Sequence, residues 1–196
     1  MFAVLKINSM FDLSKIYVGG SFYFSSGDNL KTKCKEAKVP NDCCGVYIVY
    51  ACCENEESIV YIGSSGHMKD GRLVHRQGGL ERRIYGKQQK VSRGILWPKK
   101  MRELSINKLR ICWYNTGDDN PLIVEYCLIL EYLVRNKRLP AWNNELKLDS
   151  RLKNDLEIFI KDNNIEFLKI ASTQENQYCF ASTSVGGVLY YLLDQY

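Results

Sequence analysis

Two short tyrosine-bearing runs constrain this chain most. They are Cys44-Gly45-Val46-Tyr47-Ile48-Val49-Tyr50 and Ile59-Val60-Tyr61-Ile62-Gly63, separated by the acidic loop Glu54-Asn55-Glu56-Glu57. Each run sets β-branched residues against tyrosine, the pattern of neighbouring strands in an antiparallel hairpin. The alternation predicts strands over about 45–51 and 58–63. Gly45 begins the first run and Gly63 ends the second, so both mark places where backbone or ligand can approach closely.

The chain turns basic directly after the second run. Thirteen Lys and Arg lie between Lys69 and Arg110, against the three acids Asp70, Glu81 and Glu103, a local charge of +10. The whole chain carries only +5, so the remainder is about −5. A solvated helix surface intersperses both signs. This asymmetry points instead to a face that binds a polyanion, and nucleic acid is the polyanion whose phosphates Lys and Arg neutralise. Lys69, Arg72, Arg76, Arg82, Lys90, Arg93, Lys99 and Lys100 are the candidate phosphate contacts.

At 196 residues the chain is long enough for one domain with a real core. No apolar run approaches the ~18 residues of a membrane span, and Met1-Phe2-Ala3-Val4-Leu5-Lys6 lacks a signal-peptide layout, so a cytoplasmic protein is expected. Cysteines at 34, 43, 44, 52, 53, 112, 127 and 179 include two vicinal pairs. Neighbouring strand residues point to opposite faces, so such pairs chelate poorly, and the thiols read as reduced. Cys112 and Cys127, set in apolar runs, read as small core residues.

The remaining elements are read from periodicity and turn signals. A helix is expected near Phe11-Asp12-Leu13-Ser14-Lys15, a turn at Gly19-Gly20, and a loop over Ser64–Gly71. A helix begins near Gly79, and Trp97-Pro98 opens a second one, with proline in its first turn, running through Leu104. Leu109–Tyr114 reads as a third strand and about 122–137 as a long helix. An amphipathic helix near 150–162 places Leu152, Leu156, Ile158 and Phe159 on its apolar side, followed by Ile165, Phe167 and Leu168, and the apolar run 187–193 ends the chain. The expected class is α+β: a three-stranded antiparallel sheet flanked by helices over 43–146, with an N-terminal elaboration over 1–42 and a helical C-terminal one over 147–196.

The pattern Gly45-Val46-Tyr47, an interval, then Tyr61-Ile62-Gly63 resembles the GIY-YIG nuclease family, with valine in place of the family's isoleucine. The element order matches that family's catalytic module. The resemblance implies a metal-dependent endonuclease that hydrolyses phosphodiester bonds in double-stranded DNA. The short flanks look restriction-type or stand-alone. It further implies one Mg²⁺ or Mn²⁺ per active site, and double-strand cutting would call for a homodimer or sequential nicking. The different-class alternative is a binding module that keeps the fold without cleavage, and an RNA role rests only on the basic face.

By resemblance, Tyr47 and Tyr61 occupy the family's two tyrosine positions, one helping to activate the nucleophile and the other contacting phosphate or water. A free phenol has a pKa near ~10, so nearby cations must activate whichever serves as base. The frame Leu80-Glu81-Arg82-Arg83-Ile84-Tyr85-Gly86-Lys87 places Arg83 at the family's helix arginine, which clamps the scissile phosphate, with Arg72 and Arg82 as alternatives. Lys87 stands where many members carry His or Tyr, and His75 could substitute as a base. Pro140-Ala141-Trp142-Asn143 matches the closing element. Counting from the helix start gives Glu125 as metal ligand, whereas counting back from Asn143 gives Glu131. Six residues apart on a helix, the two point about 120° apart, so one site cannot easily use both. Glu125, in the first two turns beside the sheet, is preferred.

Overall fold

The computed structural model describes residues 12–53, 56–88, 90–146 and 149–163. Its centre is a mixed α+β layer around one antiparallel sheet of four strands: β1 (Gly19–Ser25), β2 (Gly45–Cys53), β3 (Glu56–Ser65) and β8 (Lys108–Asn115). The spatial order is β1-β8-β2-β3. The expected three strands are therefore corrected to four. Gly19 and Gly20 do not form the expected turn but start β1, with Gly20 opposite Trp113 and Phe22 opposite Ile111. The first 42 residues thus contribute an edge strand to the sheet.

Alternation along β2 divides two cores. Val46 and Ile48 face one side, packing with Ile62 against α4 (Pro121–Asn136) and α5 (Lys153–Asp162). Tyr47, Val49 and Ala51 face the other, with Tyr61, Phe22, Phe24, Ile111 and Trp113. That side is covered by α1 (Leu30–Glu36), α2 (Gly79–Tyr85) and α3 (Arg93–Glu103). A strand covered on both faces needs apolar residues at every position, which is why this run reads almost continuously hydrophobic. Among the described residues, no helix is long and apolar enough to cross a membrane.

The helices differ from expectation where local signals conflict. Asn120 caps α4, its Oδ1 accepting from Leu122 N–H at 3.1 Å, and Pro121 occupies the first turn, one residue before the expected start. α3 instead begins four residues before Trp97, so Pro98 lies at its sixth position and cannot donate to the Gly94 carbonyl. Burial outweighs that lost bond: Arg93, Trp97 and Met101, spaced by four, are each at most 1% exposed. The segment expected as a loop after β3 carries a hairpin, β4 (His67–Lys69) with β5 (Arg72–Val74). A second, β6 (Lys87–Gln88) with β7 (Val91–Ser92), joins α2 to α3. The predicted first helix is a single 3-10 turn, Leu13–Lys15. In α5, Leu156 and Phe159 are buried, but Ile158 is 57% exposed, contrary to its expected place on the apolar side. Residues 1–11, Glu54, Asn55, Cys179, Ile165, Phe167, Leu168 and 187–193 lie outside the described residues. Cys34, Cys44, Cys112 and Cys127 are buried free thiols, Cys43 and Cys52 are half-buried and Cys53 is exposed.

Candidate active site

Among the described residues β3 lies at the edge of the sheet, and an edge leaves outward-facing backbone groups that must be satisfied. Here three outward carbonyls in alternate positions are each met by a residue of the candidate site. Trp142 N–H donates to the Val60 carbonyl at 2.8 Å. Asn143 Nδ2 donates to the Ile62 carbonyl at 2.9 Å, while its Oδ1 accepts from Ile62 N–H at 2.9 Å. Arg83 Nε donates to the Ser64 carbonyl at 2.9 Å. The Asn143 amide therefore stands in for one residue of a missing neighbouring strand. The closing element and the α2 arginine are docked to the same edge by the same backbone alternation.

A β-bulge sets the tyrosine beside them. Val49 opposes Tyr61 whereas Tyr50 opposes Ile59, so Val60 is the extra residue. Tyr47 lies directly across from Gly63, and the Tyr47 and Tyr61 ring centroids are 5.8 Å apart. A Cβ on Gly63 would fall 2.7 Å from the Tyr47 hydroxyl and 2.8 Å from the Tyr61 ring. Glycine here is thus a steric requirement of the two tyrosines packed over it.

Glu125 reaches the same edge from the other face of the sheet. Its carboxylate accepts a hydrogen bond from Ser64 Oγ. Burial raises the Glu125 carboxyl above its ordinary range, opposed by the Ser64 hydroxyl and by the guanidinium groups of Arg83 and Arg93. A cleft of about 310 Å³ opens here, lined by Tyr61, Arg83, Glu125 and Asn143, together with Gln88, Tyr126 and Glu145. Four of the six principal sequence candidates, drawn from β3, α2, α4 and the closing segment, therefore meet around one opening.

The others are placed elsewhere. Tyr47 is fully buried behind Tyr61, its hydroxyl has no hydrogen-bond partner among the described residues, and it does not line the cleft. Burial, reinforced by Tyr61, holds its phenol well above the ordinary range, and Arg93 and Arg83 oppose this only in part. The expected activation of a phenol by surrounding cations does not extend to Tyr47. Lys87 is exposed on β6, outside the lining. Arg72 and His75 are exposed, and Arg82 turns outward to Gln77 Oε1 at 3.1 Å. Glu131 is 1% exposed and ion-paired with Arg135, away from the cleft. It is an interior carboxylate, turned away from the opening that Glu125 lines.

Of the candidate phosphate contacts, Lys69, Arg72, Arg76, Arg82, Lys90 and Lys99 are exposed. Lys100 is half-buried, its Nζ 5.4 Å from the Trp142 ring centroid. Arg93 is a correction: at 1% exposure it faces the core and offers no surface for a phosphate. Its signal was present in the four-residue spacing to Trp97 and Met101, which a count of charges overlooks. Gln88 and Glu145 were not singled out in the sequence. Neither belongs to a motif, and only folding brings them to the cleft.

The donor chemistry suits a hard divalent cation. The Glu125 carboxylate is an oxygen donor at the edge of an open cleft, and Mg²⁺ typically takes one or two carboxylates, completing its shell with waters and substrate phosphate. Glu145 is the second carboxylate lining that cleft. Among the described residues, no group of three or more His, Cys, Asp or Glu forms an all-protein cage, so a cation here would share its shell with phosphate or water. Compared with protein-family profiles, with curated proteins and with solved structures, the chain matches none of them.

Proposed function

We propose that this cleft is the active site of a metal-dependent endonuclease of the GIY-YIG type acting on duplex DNA. The observation that carries the reading is the convergence of Tyr61, Arg83, Glu125 and Asn143 on one cleft, from four separate segments in the order the family uses. The exposed cations Lys69, Arg72, Arg76 and Arg82 precede or share α2 and supply the electrostatic attraction for phosphates.

Each residue then has a task set by its placement. Arg83, anchored through Nε, presents its remaining guanidinium nitrogens to the scissile phosphate, where charge grows in the transition state. The Tyr61 hydroxyl contacts the attacking water or a phosphate oxygen. Glu125, with Glu145 nearby, would hold the Mg²⁺ or Mn²⁺, which supplies Lewis-acid stabilisation when bound. Asn143 positions β3 through its paired bonds to Ile62. Tyr47 supports Tyr61 from beneath rather than acting as the base.

The test is magnesium-dependent nicking of supercoiled plasmid by the wild type, compared with Arg83→Ala and Glu125→Gln. Nicking by the wild type that both substitutions remove is the expected result. DNA binding without nicking would support the binding-module alternative, and preferential cleavage of RNA in competition would replace the substrate. A homodimer is expected if both strands are cut in a single binding event, and sedimentation with a double-length DNA site checks it.

A further inference from the structure

Arg93 is the least expected charge in the molecule. It is 1% exposed, its Nε is buried without a hydrogen-bond partner, and among the described residues no carboxylate lies within ion-pair distance of it. Burial opposes the charge of this guanidinium, which Tyr47, Tyr61 and Glu125 favour, whereas an aliphatic side chain would carry no such desolvation cost. What the arginine adds is a set of polar contacts aimed at two residues of the cleft. Nη1 donates to the Arg83 carbonyl at 2.7 Å and lies 3.4 Å from the Lys87 carbonyl. Nη2 lies 3.5 Å from the Tyr61 hydroxyl, and the guanidinium carbon lies 5.8 Å from the Tyr61 ring centroid.

We infer that Arg93 is a positioning residue, tying the end of α2 that carries Arg83 to the Tyr61 hydroxyl so that both groups face the cleft at one fixed separation. The inference rests on the nuclease reading of that cleft. The planar fork of a guanidinium fixes the distance between its two nitrogens, so one side chain sets the spacing of two elements. A lysine, with one point of charge, can satisfy the carbonyl or the hydroxyl but does not impose the distance between them. The α2–α3 connection supports this role: Arg93 N–H donates to the Gly86 carbonyl at 2.9 Å, which holds Arg93 at the base of the β6–β7 hairpin directly behind α2.

The experiment is a double-substitution cycle of Arg93→Lys and Tyr61→Phe, reading the cleavage rate at saturating DNA, the DNA affinity and the melting temperature. Phenylalanine keeps the ring beneath the guanidinium, and lysine keeps the charge, so both variants are chosen to fold. The expected result is a rate loss of about 30-fold or more for Arg93→Lys with DNA affinity within about threefold, shrinking to under about threefold in the Tyr61→Phe background. Losses that multiply, or full activity in Arg93→Lys, would overturn the inference. If the wild type binds DNA but does not cut it, the nuclease reading fails, and the tie is judged by magnetic resonance of the Arg93 guanidinium. Hindered rotation and slow proton exchange, both relaxed by Tyr61→Phe, are then expected, and free rotation in the wild type would overturn it.

Discussion

A guanidinium pinned through one nitrogen to an edge carbonyl is oriented before any substrate arrives. Arg83 is in that position, with Nε on Ser64. Arg83→Ala should therefore lower the cleavage rate by about 10²–10³-fold while leaving DNA affinity within a few-fold, because the contact strengthens only as phosphate charge develops. Single-turnover kinetics with a parallel binding isotherm checks it, and near-wild-type turnover would return the role to Arg72 or Arg82. The two glutamates separate on the same logic. Glu125→Gln removes the carboxylate that lines the cleft and should abolish metal-dependent cleavage. Glu131→Gln should keep it, losing about 1 kcal/mol of stability because the buried carboxylate gives up its ion pair with the half-exposed Arg135. Mn²⁺ titration calorimetry beside plasmid cleavage distinguishes them, and the reverse pattern would place the metal at Glu131.

At the scale of elements, the site is a by-product of protecting an edge strand. Gly63 and Asn143 show how. Gly63→Ala forces a methyl group against Tyr47 and Tyr61 and should destabilise the fold by about 2 kcal/mol, with cleavage lost because Tyr61 moves. Asn143→Ala strips partners from both backbone groups of Ile62 and should cost about 1–2 kcal/mol. Amide exchange at Ile62 should accelerate in that variant, and unchanged protection there would show that another group caps the edge. Much of this layer was readable beforehand. β2, β3, β8 and α4 are legible from their β-branched and aromatic runs or apolar stretches and from the turn signals that bound them. β1 was not, because a Gly-Gly pair signals a turn locally, and only pairing with β8 makes it a strand. The start of α3 was displaced by Pro98, whose local preference for a first turn is outweighed by burying Trp97 and Met101. A count of charges puts Arg93 on the surface and ignores its four-residue spacing to Trp97 and Met101, while its polar partners, ten and thirty-two residues away in the chain, reach it only through folding.

At the scale of the whole molecule, the question is how far charge alone brings DNA to the cleft. Seven of the eight cations named from the sequence lie outside the core, six of them exposed and Lys100 half-buried, and Lys99 shares its charge with Glu103 at 3.9 Å. If most of the seven meet phosphates, log affinity against log salt should fall with a slope of about −4 to −6, since each neutralised phosphate contributes about −0.9. Lys69→Ala or Arg72→Ala should each reduce that slope by about one, with little dependence on DNA sequence. Arg93→Gln, which removes the charge, should leave the slope unchanged, because a cation inside the core releases no counterion from the duplex. Fluorescence anisotropy over 50–300 mM salt, roughly the range in which such slopes are read, measures all three. A flat response in the wild type would remove nucleic acid from the reading. A slope that drops with Arg93→Gln would mean that its guanidinium reaches the surface in solution, and that the tie to Tyr61 is not the state that meets DNA.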